Sequence, residues 1–457
     1  IIMLRRWQSA CISEALSHFQ SGHRHFFCQA TPAAGKTRMS AELARRMLEE
    51  GAIDLVICFA PSREVVQGFQ STLEFTVGKR FDGKLGAYGS ALTYQAMDHL
   101  KDDFWALFRN YRVLAIFDEI HHCAETEPGH SNRWGQLIVQ RIQDHATYTL
   151  ALSGTPWRSD ELGIALARYS TPEGHLICDF RYSLSDAVAD KVCRSPRIVV
   201  MDNDDVRLTV STAANQKTKT FDCVAGLLRD SLVRYQDLLD NQQAQQYMLQ
   251  TANEKLDELR LTVPDAAGLI VASTIEHACL VAEVLETLNQ SVMVVTSDSP
   301  DARNQIHQFR KGNQRWIVAV GMVAEGTDIP RIQVCCHLTR IRTELHFRQV
   351  LGRALRRRYE PDALAWMYIY AEPTLTEFAS RVADDLPLDR SVLSVSSPSE
   401  RGTNIDCEPK SSDGCLGILP DALPTPDKPN ATGLGFQKKH RALAFSDRFR
   451  HQLLAIF

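Results

Sequence analysis

Two series of short apolar runs, separated by amphipathic stretches, organise this chain. In the first 195 residues, Phe26–Ala30, Leu55–Ala60, Leu92–Tyr94, Val113–Phe117 and Tyr148–Ser153 have the length and composition of buried strands. Met39–Glu50 and Glu64–Glu74 space their apolar residues as amphipathic helices do. Strand and helix in alternation predict a mostly parallel sheet covered on both faces. A second series starts at Gly268–Ala272 and runs through Val292–Val295, Trp316–Val320, Gln333–Leu338 and Ala365–Tyr370. Between the two, Arg197–Val200 leads into a polar stretch rich in Gln and Asp, then into helical sequence over 218–261. From 386 to 434, Pro, Ser, Asp and Gly replace any periodicity, the composition of a linker or disordered tail. Residues 436–457 predict a basic helix carrying Lys438, Lys439, His440, Arg441, Arg448 and Arg450. The expected organisation is an α/β unit over 1–195, a second over 196–385, and a linker with a basic tail over 386–457.

Composition narrows the class. Of 457 residues, 44% are hydrophobic and 23% charged, ordinary values for a water-soluble globular chain. A net charge of −4 gives no global basic field, so any nucleic-acid contact has to come from a local cleft. The 12 cysteines are scattered without a C-x-x-C pair, which fits a reduced, cytoplasmic protein better than a disulfide framework. His121-His122-Cys123 invites a metal reading, but no second pair at ligand spacing completes it. No 18-residue apolar stretch and no signal-peptide pattern stand in the sequence, so neither membrane insertion nor export is expected.

Candidate chemistry gathers at the ends of the apolar runs. Ala30-Thr31-Pro32-Ala33-Ala34-Gly35-Lys36-Thr37 fits the phosphate-binding loop A-x-x-x-x-G-K-T. Gly35 admits close backbone approach to phosphates, Lys36 supplies a charge to them, and the Thr37 hydroxyl can ligate Mg²⁺. Thr31, Ala34 and Arg38 flank these positions. Asp118-Glu119-Ile120-His121 follows the run Val113–Phe117, at a strand end, where open α/β sheets place ligands. Asp118 would hold the magnesium, and Glu119 would orient or deprotonate an attacking water. Hydrolysis alone gives His121 no task, but a histidine beside the phosphates can link them to a neighbouring loop. Ser153-Gly154-Thr155-Pro156 is the candidate loop. In the second series, Phe347–Arg356 reads as a helix with Gln349, Gly352, Arg353 and Arg356 on one face. Such a face suits a phosphate presented by another domain, with arginine as the finger. Ahead of it, Gly326, Thr327 and Asp328 form a turn able to meet a phosphate and a ribose or arginine.

Taken in order, these strings resemble superfamily 2 helicases and translocases of the DExH type. The series is Trp7-Gln8, the phosphate loop, Ala60-Pro61-Ser62-Arg63-Glu64, Thr93-Tyr94-Gln95, Asp118–His121, Ser153–Pro156, Glu325–Pro330 and Gln349–Arg356. The likeness runs from residue 4 to about 380 and is strongest to bacterial XPB-like and restriction-enzyme motor proteins. It implies two tandem RecA-like domains with ATP in the cleft between them. It also implies adenine recognition by Gln8, although Arg6-Trp7 stands where many relatives have Pro and an aromatic residue. By the same likeness Pro61, Ser62, Arg63, Thr93, Ser273, Thr274 and Thr327 would grip a nucleic-acid backbone without reading its sequence.

The resemblance therefore implies a motor coupling Mg²⁺-ATP hydrolysis to movement along a strand, DNA ahead of RNA. Two alternatives keep the same residues. One is an RNA helicase, since phosphate contacts do not separate the two polymers. The other is a nucleic-acid-activated ATPase switch within a larger complex, such as antiphage defence, with protein partners bound through the C-terminal tail.

Overall fold

The structure is a computed structural model that describes residues 3–125, 133–155, 163–171, 175–211, 215–296, 299, 301–321, 329–358, 361–384, 390–396 and 440–456. Two α/β lobes follow one another, each a largely parallel sheet flanked by helices.

Lobe one is built on six strands: β1 (His25–Ala30), β2 (Leu55–Ala60), β3 (Gly89–Thr93), β4 (Val113–Phe117), β5 (Tyr148–Ser153) and β6 (Phe180–Tyr182). They pair in parallel in the order β6-β1-β5-β4-β2-β3. The alternation in β4 shows why the strands read as unbroken apolar runs. Leu114 and Ile116 enter the core under helices α1 (Arg6–Gln20), α2 (Lys36–Glu49) and α3 (Arg63–Val77). Val113, Ala115 and Phe117 enter a separate core on the opposite face, with Trp105 and Phe108 of α4 (Asp102–Asn110). A strand buried on both faces has no polar side to show. The order β1-β5-β4 sets three loops side by side at one edge: the phosphate loop, Ser153-Gly154-Thr155, and Asp118-Glu119.

Lobe two is built on β7 (Ser195–Asn203), β8 (Val206–Ser211), β9 (Gln216–Phe221), β10 (Ala267–Ala272), β11 (Val292–Thr296), β12 (Trp316–Val320), β13 (Ile332–Leu338) and β14 (Leu364–Tyr370). Three late strands join them, β15 (Arg390–Ser396), β16 (His440–Phe445) and β17 (Phe449–Ile456). The main sheet runs β11-β12-β10-β13-β14-β7-β17-β15, with β17 antiparallel to both its neighbours, and β9-β8-β16 form a small antiparallel sheet. Its helices include α5 (Gln242–Arg260), α6 (Ile275–Thr287), α7 (Ala302–Lys311), α8 (Glu344–Ala354) and α9 (Pro373–Asp384).

Three expectations change here. The polar stretch after β7 is a pair of strands, and residues 218–221 belong to β9; the helical sequence begins at Val224. The basic helix expected over 436–457 is a pair of strands where the chain is described. The tail assigned as linker and basic extension thus returns to lobe two. The reason lies in its spacing: in the last strand Phe449 and His451 turn inward while Arg450 and Gln452 are exposed, the two-residue period of a strand. Residues 397–439 lie outside the described residues. Among the described residues no helix is long and apolar enough to cross a membrane, and no group of three or more metal-ligating side chains forms.

Candidate active site at the junction of the lobes

The phosphate loop bends between β1 and α2 with two residues in the left-handed region, Ala33 (φ 66°) and Gly35 (φ 97°). Gly35 is the N-cap of α2, so the backbone N–H groups of the first turn open toward the loop. Lys36 is buried, and its Nζ donates to the Ala30 carbonyl at 3.2 Å and to Glu119 Oε1 at 2.8 Å. Burial works against its charge, yet the Glu119 and Asp118 carboxylates raise its pKa overall. Thr37 stands beside it in the same first turn, partly buried, while Arg38 turns away to the Met3 carbonyl at 3.1 Å.

Across the loop, Glu119 occupies a left-handed conformation (φ 50°), a strained setting for a side chain with a Cβ. Its Oε2 accepts the Gly154 N–H at 3.1 Å and lies 3.4 Å from His121 Nδ1. His121 is buried, with the same Nδ1 2.9 Å from Ser153 Oγ, and that hydroxyl accepts the Thr155 N–H at 3.2 Å. Gly154 sits close to the loop: a Cβ there would lie 3.0 Å from Pro32 Cδ and 3.1 Å from Lys36 Nζ, so a larger residue would have to push them aside by a few tenths of an ångström. One continuous set of contacts therefore joins Lys36, Glu119, Gly154, His121, Ser153 and Thr155. Pro156 lies outside the described residues.

The two acids are driven apart in acidity. Burial and the neighbouring Glu119 push Asp118 up to about 7, with Lys36 pulling the other way. Burial also opposes ionisation of Glu119, but Lys36 and His121 outweigh it and hold this carboxyl down at about 2. Among the described residues Asp118 Oδ1 is buried without a hydrogen-bond partner. An orphaned carboxylate oxygen two strands from the Thr37 hydroxyl is a fitting donor set for a hard divalent cation such as Mg²⁺.

Sequence reasoning missed two residues that shape this site. Arg5 donates from Nη1 to the Ala34 carbonyl at 2.6 Å and from its backbone N–H to Gln8 Oε1 at 2.9 Å. Gln8 in turn donates from Nε2 to the Gly35 carbonyl at 2.9 Å, so the two residues brace the phosphate loop from outside. Trp7 is stacked on Tyr182, with ring centroids 4.8 Å apart, which fixes the start of α1 beside them. Tyr94 is the second omission. It is fully buried and its hydroxyl donates to the Asp118 carbonyl at 2.8 Å. An arginine ahead of Trp7-Gln8 and an aromatic between Thr93 and Gln95 were the available signals.

From lobe two, α8 meets the phosphate loop directly. A Cβ on Gly352 would lie 2.9 Å from Pro32 Cβ, so this face of the helix packs on the loop. Gln349 and Arg353 share that face and are partly buried, but the helix stops at Ala354, so Arg356, expected on the same face, lies beyond it, exposed, in an isolated bridge with Cys193. Cys193, in the segment between the lobes, donates from Sγ to the Pro32 carbonyl at 3.6 Å. Gly326, Thr327 and Asp328 lie outside the described residues.

The positions expected to grip a backbone sit at the same strand ends. Ser62, Thr93 and Thr274 are N-caps, accepting from the N–H groups of Val65 (3.4 Å), Ala96 (3.3 Å) and His277 (3.1 Å). Ser273 donates to the Leu338 carbonyl at 3.2 Å. Pro61 and Arg63 flank Ser62 where β2 passes into α3. A further cross-lobe contact is made there, Glu64 of α3 lying 3.8 Å from Arg303 of α7.

Comparison with known proteins follows this division into lobes. Residues 1–158 match the family model of the Type III restriction enzyme res subunit, and residues 251–358 match the helicase conserved C-terminal domain. The chain is 29% identical over 394 residues to the uncharacterized protein ML1624 of Mycobacterium leprae, covering 83% of this chain and 64% of that one. It is 28% identical over 396 residues to Rv2917 of Mycobacterium tuberculosis, covering 82% and 63%. The chain thus spans somewhat under two thirds of the length of these curated relatives. Among solved structures it is similar to a fragment of a putative HsdR subunit of a type I restriction enzyme from Vibrio vulnificus YJ016 (TM-score 0.57, 15% identity, 82% of this chain and 65% of that one). It is similar in fold also to the Type ISP restriction-modification enzyme LlaBIII (0.53, 14%, 84% and 30%) and to S. cerevisiae Dbp5 (0.51, 13%, 83% and 87%). The chain thus carries a match to the res-subunit family in its first lobe and to the helicase conserved C-terminal domain in its second, the two-domain arrangement of a helicase, and it is similar in fold to restriction-enzyme motors.

Proposed function

We propose that this chain is an ATP-driven motor acting on DNA, in which hydrolysis at the lobe junction is coupled to movement along a strand. The observation that carries the reading is the seat of α8 on the phosphate loop, which brings the face bearing Gln349 and Arg353 to Pro32. Lys36 and the first-turn N–H groups of α2 bind the phosphates, and Thr37 with Asp118 holds Mg²⁺, which when bound neutralises charge on the phosphate oxygens. Glu119 leaves Lys36 when phosphate arrives and orients the attacking water. Arg353 and Arg356 supply the finger charge from lobe two. Gln8, braced by Arg5, recognises the adenine in this reading. His121 and Ser153 carry the change at Glu119 to the Gly154 loop. Opening of the lobes then shifts the contacts at Ser62, Thr93 and Thr274 relative to one another.

The choice of DNA rests on the res-subunit family match and on the neighbour LlaBIII, solved with DNA; Dbp5 was solved with RNA. ATPase turnover measured with duplex DNA, single-stranded DNA and RNA tests the reading. Stimulation by DNA, lost in Lys36→Ala and in Glu119→Gln, is expected; stimulation by RNA alone selects the RNA helicase reading, and full turnover in either variant sinks both. Displacement of a third strand from a DNA triplex separates a motor from an ATPase switch that recruits partners without moving.

A further inference from the structure

Arg194 follows Cys193 in the segment between the lobes, yet its side chain is fully buried inside lobe two. Nε donates to Asp362 Oδ1 at 2.5 Å and Nη2 to Asp362 Oδ2 at 2.7 Å, the two-pronged pairing that a planar guanidinium allows. Nη2 also donates to the Pro330 carbonyl at 2.8 Å, while Nη1 donates to the Ala354 carbonyl at 2.6 Å and to that of Ile332. All five N–H groups of the side chain are matched. The main chain repeats the attachment: the Arg194 N–H donates to the Leu355 carbonyl at 2.7 Å, and Cys193 pairs with Arg356 across an isolated antiparallel bridge.

The acceptors are not scattered. Ala354 and Leu355 close α8 directly after Arg353, and Pro330 stands two residues beyond Asp328. Both functional segments of lobe two are thereby tied to one guanidinium, on the same stretch of chain whose Cys193 thiol reaches Pro32 of the phosphate loop. A buried ion pair adds little net stability, because desolvating two charges offsets most of their attraction. What the pair supplies is fixed direction, which lysine, with three donors on a flexible stem, does not reproduce.

We propose that Arg194 is a positioning residue for the phosphate chemistry: by clasping the end of α8 and Pro330 to the interlobe segment, it sets where Arg353 and Arg356 stand relative to the phosphate loop. It acts through α8, and its contacts all lie within lobe two. The inference rests on the functional reading above.

The test compares the full chain with Arg194→Met/Asp362→Asn, which removes both charges and leaves one side-chain oxygen at 362 to accept from either Gln333 or the Arg358 N–H, which now bond to different oxygens of Asp362. Thermal unfolding, ATPase kcat and KM with the stimulating nucleic acid, and binding of ADP with and without aluminium fluoride are measured. Expected are a folded protein, unchanged KM and ADP affinity, a kcat lower by roughly 10²-fold, and loss of the extra affinity that aluminium fluoride gives to ADP. Arg194→Lys, which keeps the buried charge, is expected to show the same split at smaller size and serves if the double variant does not fold. Wild-type kcat and fluoride-dependent affinity in a folded variant overturn the proposal, as does a loss of ADP affinity in step with kcat. A wild-type chain that hydrolyses no ATP overturns the functional reading instead, and this inference with it.

Discussion

The Tyr94 hydroxyl donates to the Asp118 carbonyl at 2.8 Å, so the turn that follows β3 is bonded to the acid that ends β4. Thr93, on one side of Tyr94, caps the turn Tyr94–His99 at the strand edge proposed to meet nucleic acid. Glu119, on the far side of Asp118, pairs with Lys36. Tyr94→Phe removes one hydrogen bond and costs about 1 kcal/mol of stability. Basal ATPase is expected to survive, while its stimulation by nucleic acid falls. Titrating nucleic acid against ATPase rate checks this, and equal loss of both activities counts against a coupling role.

Asp118 makes stability depend on pH. Its folded pKa of about 7 lies above the unfolded value of roughly 3.9, so the folded state holds the proton more tightly. The stability this gives is fully present below the unfolded value and is lost as pH rises through 7. Glu119 shifts in the opposite sense, and its contribution is lost only as pH falls through about 2, outside the working range. Without nucleotide, Asp118→Asn is therefore expected to melt above wild type at pH 8, with the gap closing toward pH 5. Melting curves of both proteins across that range decide it.

Gly352 separates stability from activity. Alanine favours a helix interior by roughly 0.5–1 kcal/mol over glycine, so Gly352→Ala should leave the melting temperature equal or higher. The added Cβ would lie 2.9 Å from Pro32, which holds the lobes apart at the phosphate loop. Lower kcat with unimpaired folding is the expected result, read from ATPase assays beside thermal unfolding.

Gly268 is constrained for a different reason. In the pair β10-β12 it lies opposite Trp316, and a Cβ there would sit 2.1 Å from the indole ring. That ring is fully buried and anchored by Nε1 to Asn253 Oδ1 at 3.2 Å, so it has little room to yield. Gly268→Ala is expected to cost on the order of 1–3 kcal/mol, measurable by urea unfolding.

Much of lobe one was legible because its strands are short, apolar and local. Val113–Phe117 and Tyr148–Ser153 form as expected, and Lys36, Asp118, Glu119, Ser153 and Gly154 meet because β1, β5 and β4 are neighbours. The bracing roles of Arg5 and Tyr94 were not legible, since each ends on a main-chain carbonyl that leaves no mark in sequence. Arg194 shows the same limit over a longer span: its partner Asp362 is 168 positions away. The last strands were misjudged because basic residues at Arg441, Arg448 and Arg450 obscured the burial of Phe445 and Phe449 between them.

The pairing of β7 with β17 imposes an order on synthesis. Arg197 to Asn203 finds its antiparallel partner in Phe449 to Ala455, about 250 residues later on the growing chain. The sheet of lobe one is complete once Tyr182 has emerged, so that lobe is free to fold while the rest is still being translated. Lobe two has to wait for the final strand, and until then one edge of β7 is open to wrong partners. A ribosome stalled before residue 449 would therefore carry a nucleotide-binding lobe that is finished and a second lobe with an exposed seam.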